Sequence, residues 1–70
     1  MKSQLDNYID RIVDLIATHE GACARNRKID KVEFWIGRPN YTIVVNVTYK
    51  ELERCMNLAC YPNELNKYIE

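Results

Sequence analysis

Two runs of alternating apolar residues, separated by a short turn-forming segment, constrain the fold more than any other feature of this 70-residue chain. The first run has apolar residues at every second position from Val32 to Ile36, and the second from Tyr41 to Tyr49. Gly, Arg, Pro and Asn occupy positions 37–40 between them. Alternation with a period of two on both sides of such a segment predicts a β-hairpin with one buried face.

The segment between the runs also predicts a register. Pro39 suits the first central position of a type I turn, and a two-residue primed turn would need a positive φ that proline cannot adopt. We therefore expect a loop of about four residues. The register that follows pairs Ile36 with Tyr41, Phe34 with Ile43, and Val32 with Val45. All six side chains then share one face, so the turn and the hydrophobic pattern agree.

Helical signals flank the hairpin on both sides. Ser3 and Asp6 resemble a capping box at the start of a first helix, and Gly21 offers its stop. Thr48 and Glu51 form a second capping box, so another helix begins almost directly after the hairpin. The polar, basic segment 24–28 is interpreted as a connection.

These elements predict a small α+β domain with the order α-β-β-α-α. A short apolar stripe after Pro62 supplies the last helix. Residues 1–70 are expected to form a single domain in which the helices pack on one face of the antiparallel hairpin. The predicted core consists of Leu5, Ile9, Ile12, Ile16, Phe34, Ile43, Val45, Val47, Leu52 and Met56.

Size, charge and cysteine content limit the functional classes. A chain this short buries only about 60% of its unfolded surface, so its core is small. Ten basic and ten acidic residues cancel, which favours neither nucleic acid nor a membrane surface. Three cysteines are an odd number for a secreted disulfide scaffold. With no signal-peptide pattern and no run long enough to span a bilayer, we expect a reducing, cytoplasmic location.

The first predicted helix carries two groups of chemically interesting residues. Asp6, Asp10 and Asp14 lie one turn apart, which costs a little helix stability. Such a row is usually a solvated helix edge, and otherwise it docks on a basic partner or imitates a phosphate backbone. His19 and Cys23 are four residues apart, but two ligands fall short of the four that structural zinc requires. We therefore predict no metal, cofactor or catalytic residue.

A local basic cluster supports a nucleic-acid interpretation. It consists of Arg25, Arg27, Lys28, Lys31 and Arg38, and Trp35 could add a stacking surface. The expected nucleic-acid contacts are Arg25, Arg27, Lys28 and Arg38. Basic residues beside exposed aromatics on a sheet are typical of proteins that bind single strands. The neutral overall charge weakens this alternative, because nucleic-acid-binding domains are usually basic.

The second face of the hairpin supports a protein-binding interpretation. It carries Trp35 and Val44, with Lys31 and Arg38 nearby, and tryptophan and arginine are frequent interface anchors. The alternative is that the last helix covers the two apolar side chains, or that they are scattered surface residues. Because both strands of a two-stranded sheet are edges, a homodimer through the hairpin edge is also expected to be possible.

We therefore expect a small non-enzymatic inhibitor or regulator that occupies the surface of a protein partner. The sequence contains no nucleophile–base pair, no Gly-rich phosphate loop and little room for a pocket. Phage or mobile-element inhibitors of host machinery, such as anti-CRISPR proteins, are one class of this size and type, with no shared motif. The expected contact surface is Trp35, Val44, Arg38 and Lys31, or alternatively the row Asp6, Asp10 and Asp14.

Overall fold

The computed structural model describes residues 2–37 and 40–69, and in them a helix is followed by three strands and two helices. The strands form one antiparallel sheet in the order β1-β2-β3. The predicted α+β class is confirmed, and the element order is α-β-β-β-α-α. The bounds are α1 Gln4–Glu20, β1 Cys23–Arg27, β2 Lys31–Gly37, β3 Thr42–Thr48, α2 Tyr49–Asn57 and α3 Asn63–Ile69.

Strand β1 corrects the interpretation of segment 24–28 as a connection. It pairs with β2, with Arg25 opposite Phe34, and a backbone hydrogen bond of 2.8 Å from Lys28 to Lys31 closes the turn between the strands. The sequence conceals this strand because its inward positions carry arginines, so no apolar alternation marks it. Strand β2 is therefore central, and the edges of the sheet are β1 and β3.

The register between β2 and β3 differs from the prediction by two residues. Phe34 lies opposite Val45, and Ile36 lies opposite Ile43. Gly37 pairs with Thr42, so the paired part of β2 ends one position later than expected. Because the shift is an even number, every side chain keeps its predicted face. The predicted type I turn at Pro39 lies outside the described residues.

Side-chain caps start the first two helices. The hydroxyl of Ser3 accepts the N–H of Asp6 at 3.1 Å, and the Asp6 carboxylate completes the predicted capping box. The hydroxyl of Thr48 accepts the N–H of Glu51 at 3.2 Å. The carboxylate of Glu51 bonds instead to the guanidinium of Arg54, at 2.6 and 2.9 Å, so the second box is only half formed.

The core lies between the helices and the inner face of the sheet. Six of the ten predicted core residues are buried; Leu5, Ile43 and Val45 pack partly buried at its margin, and Met56 is half-buried. The last helix contributes more side chains to the core than expected, because its buried residues Leu65, Tyr68 and Ile69 join the same cluster. The cluster consists of Ile9, Ile12, Ile16, Val32, Phe34, Ile36, Val47, Leu52, Leu65, Tyr68 and Ile69.

The C-terminus of α2 ends in a Schellman motif built on alanine. The N–H of Ala59 donates to the carbonyl of Met56 at 3.2 Å, and the N–H of Cys60 donates to the carbonyl of Cys55 at 2.9 Å. Ala59 adopts φ +53°, the left-handed conformation that glycine normally supplies at this position. The Cβ of an L residue makes this conformation unfavourable by about 1–2 kcal/mol.

We predict that Ala59→Gly raises the free energy of unfolding by about 0.5–1 kcal/mol, because the relief of this strain exceeds the extra entropy of an unfolded glycine. Urea denaturation with a reductant present measures the change. Ala24→Gly, at an extended strand position, is the matched control and should lower stability. An Ala59→Gly variant no more stable than the parent protein would contradict the argument.

Candidate functional site

The outer face of the sheet presents one large aromatic side chain at its centre. Trp35, on the central strand, lies between Ala24 on β1 and Val44 on β3. The core residues Phe34 and Ile36 flank Trp35 in β2 and point to the opposite face, as alternation requires. All three helices contact the sheet, and the buried side chains of β2 are those of the inner face. The outer face is therefore left to solvent.

The exposed side chains around Trp35 form an apolar half of this face. Trp35 is 42% exposed and Val44 41%. Small residues beside the indole leave a shallow depression of about 260 Å³, which Trp35 and Thr42 help to line. The other residues lining it are Ala22, Cys23, Ala24 and Gly37. We define the outer face around Trp35, Val44 and Ala24 as the tryptophan face.

The end of the tryptophan face nearest the β1–β2 turn is polar. Glu33 accepts a hydrogen bond from Asn26 at 3.2 Å and lies 3.9 Å from the ammonium of Lys28. Lys31, half-buried at the start of β2, has no ion-pair partner among the described residues. Ile29 lies at the tip of the turn and is 99% exposed. The predicted contact residue Arg38 lies outside the described residues.

The acidic row of α1 faces the basic residues of β1. Asp6 forms an ion pair with Arg27, and Asp10 forms one with Arg25. Lys2 also pairs with Asp10 at 2.5 Å. Asp6 and Asp10 were predicted as partner contacts, and Arg25 and Arg27 as nucleic-acid contacts. In the structure these two pairs neutralise one another. Asp14 is exposed, and none of the described ion pairs includes it.

A second contact fixes Arg27 at the edge of the sheet. Its Nε donates to the hydroxyl of Tyr49 at 3.0 Å, and its guanidinium lies 5.3 Å from the centre of that ring. The hydrogen bond with Tyr49, followed by the one with Asp6, raises the pKa of Arg27 above its usual value. This guanidinium is committed to contacts within the chain, which leaves less of it for a phosphate group.

The pair of His19 and Cys23 is separated by the end of α1. Gly21 ends the helix with φ +102°, and Cys23 begins β1. His19 is exposed. The two side chains therefore do not share a helix face. In the described part of the chain, no group of three or more His, Cys, Asp or Glu residues is arranged to hold a metal ion.

A groove between α1 and the α2–α3 connection was not predicted. Its volume is about 420 Å³, and its wall includes two stacked rings, Tyr8 and Tyr61, with centres 5.9 Å apart and planes at 9°. The hydroxyl of Tyr8 donates to the carbonyl of Cys60 at 2.6 Å. Burial chiefly raises the pKa of Tyr8 above its usual value. The other residues lining the groove are Asn7, Arg11, Met56 and Ala59.

Comparison with known proteins gives no relative from which function can be transferred. No protein-family model, no curated protein and no solved structure matches the chain. Across residues 2–37 and 40–69, no helix combines the length and the apolar character needed to cross a membrane.

The ion pair between Asp6 and Arg27 predicts a pH dependence of stability. Hydrogen bonds from Ser3 and then from Arg27 hold the pKa of Asp6 below its usual 3.8. A lowered folded-state pKa contributes stability that is present above the unfolded pKa and lost as pH falls through the folded one. We expect Asp6→Asn to be less stable than the parent protein at neutral pH, with a smaller loss of stability on acidification.

Urea midpoints measured between about pH 5 and pH 2 test this window. Asp14→Asn is the matched control on the same helix, and it should retain the acid-induced loss seen in the parent protein. An Asp6→Asn variant whose midpoint falls as steeply as that of the parent would show that the carboxylate of Asp6 contributes nothing to the pH dependence.

Proposed function

We propose that the protein is a small inhibitor or regulator that acts by occupying the surface of a protein partner with its tryptophan face. The observation that carries this proposal is the position of Trp35, half-exposed at the centre of a sheet face that the helices leave open. Its lateral neighbours, Ala24 and Val44, are small or apolar. Binding energy at interfaces concentrates in such central aromatic side chains, with weaker contacts around them that exclude water.

The chemistry of the tryptophan face indicates what the partner presents. The half around Trp35 and Val44 is apolar, and the half near Lys31 carries an ammonium group without a described ion-pair partner. A complementary protein surface would therefore offer an apolar depression for the indole and a carboxylate for Lys31. Complementary charge of this kind chiefly sets specificity and association rate.

The acidic row receives less support as a docking edge. The carboxylates of Asp6 and Asp10 already bind guanidinium groups of β1. A basic partner would have to displace those guanidinium groups. The exposed ion pair that it formed in their place would stabilise the complex by at most about 1 kcal/mol. We therefore assign the row to holding α1 against β1, with Asp14 as its solvated end.

The nucleic-acid alternative loses support for the same reason. Arg25 and Arg27 would have to leave their carboxylates to reach phosphate, and Lys28 lies near Glu33. Oligonucleotide binding that weakens steeply with added salt would revive this alternative.

A homodimer through an open sheet edge stays a proposal, with β1 or β3 as the pairing strand. The free thiols of all three cysteines support a reducing location such as the cytoplasm.

The test is the affinity of defined variants for a purified partner. A pull-down from the native host followed by mass spectrometry supplies the candidate, and calorimetry with the purified protein measures affinity. We expect Trp35→Ala to weaken binding by at least about 30-fold, the effect of losing a hot spot of 2 kcal/mol. Val44→Ala should weaken binding less, because it removes less contact area.

Leu58→Ala is the matched control, because Leu58 is 62% exposed but caps α2 on the helical side of the domain. Its affinity should equal that of the parent protein. Circular dichroism of each variant checks folding, and Val44→Lys offers a second disruption that leaves the core intact. A partner that binds Trp35→Ala and Val44→Lys as tightly as the parent would refute the proposed surface.

A further inference from the structure

The Schellman motif at the end of α2 places two of the three cysteines side by side. The N–H of Cys60 donates to the carbonyl of Cys55 with an N···O distance of 2.9 Å. The path from Cα of Cys60 to Cα of Cys55 consists of one N–Cα bond, this hydrogen bond and one Cα–C=O segment. The two Cα atoms are therefore less than about 6.8 Å apart. Disulfides accept Cα separations of about 4.4–6.8 Å. The backbone therefore already holds the two residues within the range of a disulfide.

The Cys60 thiol also acts on the thiol of Cys55, whose sulfur lies 3.6 Å from Oε1 of Glu51. A side-chain contact between the two residues at the ends of a Schellman motif, here Cys55 and Cys60, commonly accompanies it. Here, burial and then a hydrogen bond with the thiol of Cys60 raise the pKa of Cys55 to about 11. Cys55 is buried, whereas Cys60 is exposed and lines the groove beside Tyr8 and Tyr61. The pair thus combines an accessible sulfur with a sheltered one.

We propose that Cys55 and Cys60 form an oxidation site, at which a hydroperoxide converts the two thiols into a disulfide within one chain. The groove gives a small peroxide access to Cys60, and the Schellman motif positions Cys55 as the resolving thiol.

The reaction balances in two steps. The thiolate sulfur of Cys60 attacks one peroxide oxygen, the O–O bond breaks, and the second oxygen leaves as water or an alcohol after taking up a proton. The resulting sulfenic acid is attacked by the sulfur of Cys55, the S–O bond breaks, and water leaves with the thiol proton. The two sulfurs together lose two electrons, and the peroxide gains them. The proximity of Cys55 offsets its small thiolate fraction.

The third cysteine serves as an internal comparison. Cys23 lies in β1, at the sheet edge opposite β3, and α2 contacts β3. Burial raises the pKa of the Cys23 thiol, which slows its oxidation. The folded protein should therefore select the pair Cys55–Cys60 over either pair that includes Cys23.

Formation of the disulfide would fix one wall of the groove. The bond closes a loop around Ala59, whose left-handed backbone forms the turn. Cross-linking this turn removes open conformations from the end of α2, so the oxidised protein should unfold at a higher urea concentration than the reduced one. The groove would thereby change its rigidity with the oxidation state of the protein.

Peptide mapping after treatment of the folded protein with hydrogen peroxide tests the proposal. Trypsin releases both cysteines in one peptide, 55–67, and Cys23 in another, 12–25. After alkylation under non-reducing conditions, we expect peptide 55–67 to lack both alkyl groups and to be lighter by two hydrogen atoms. Peptide 12–25 should be fully alkylated.

Three comparisons make the result decisive. Cys23→Ser should form the same disulfide at the same rate. Cys55→Ser should instead stop at Cys60 sulfenic or sulfinic acid, or form a dimer through Cys60. Peroxide treatment in concentrated guanidinium chloride should form the disulfide Cys55–Cys60 more slowly, because only the short intervening loop and no longer the Schellman motif then brings the two thiols together. Full alkylation of both cysteines in the treated folded protein, or sulfinic acid on Cys60 of the parent chain, would overturn the proposal.

Discussion

The structure depends on one-sided packing, in which a single helical layer covers only the inner face of a three-stranded sheet. Phe34 lies at the centre of that inner face, and Ile9, Ile12 and Ile16 of α1 join it in the core. Removing a buried phenylalanine costs about 3–5 kcal/mol, comparable to the whole stability of a domain this small. The chain has helices for one layer only, so Trp35 on the reverse of the same strand stays open.

Ion pairs attach the edge strand β1, which contributes least to the apolar core, to α1. The inward positions of β1 include Arg25 and Arg27, where an apolar side chain would be usual for a half-buried strand. Arginine stems can cover apolar surface while their guanidinium groups reach outward. Here those groups meet Asp10 and Asp6 on α1. The acidic row and the basic cluster, each a candidate contact surface by itself, form a polar seam between the helix and the edge strand.

Local signals in the sequence predict only part of this structure, because contacts such as this seam form between distant residues. Caps at Ser3 and Thr48 and the alternation around Phe34 are local signals, so they were readable in the sequence. Strand β1 was missed because its inward arginines gain partners only in the tertiary structure. The groove was missed because Tyr8 and Cys60 are 52 positions apart, and no local pattern relates such distant residues. The open position of Trp35 was anticipated only as one of two alternatives, because sequence does not show which face the last helix covers.

The fluorescence of Trp35 reports whether the tryptophan face is open in solution. Trp35 is the single tryptophan of the chain, so the emission reports this side chain without ambiguity. With the face open, we expect red-shifted emission that acrylamide quenches efficiently, with both properties independent of protein concentration. Blue-shifted, poorly quenched emission, or emission that shifts to the blue as concentration rises, would contradict this expectation by showing that the face is already covered.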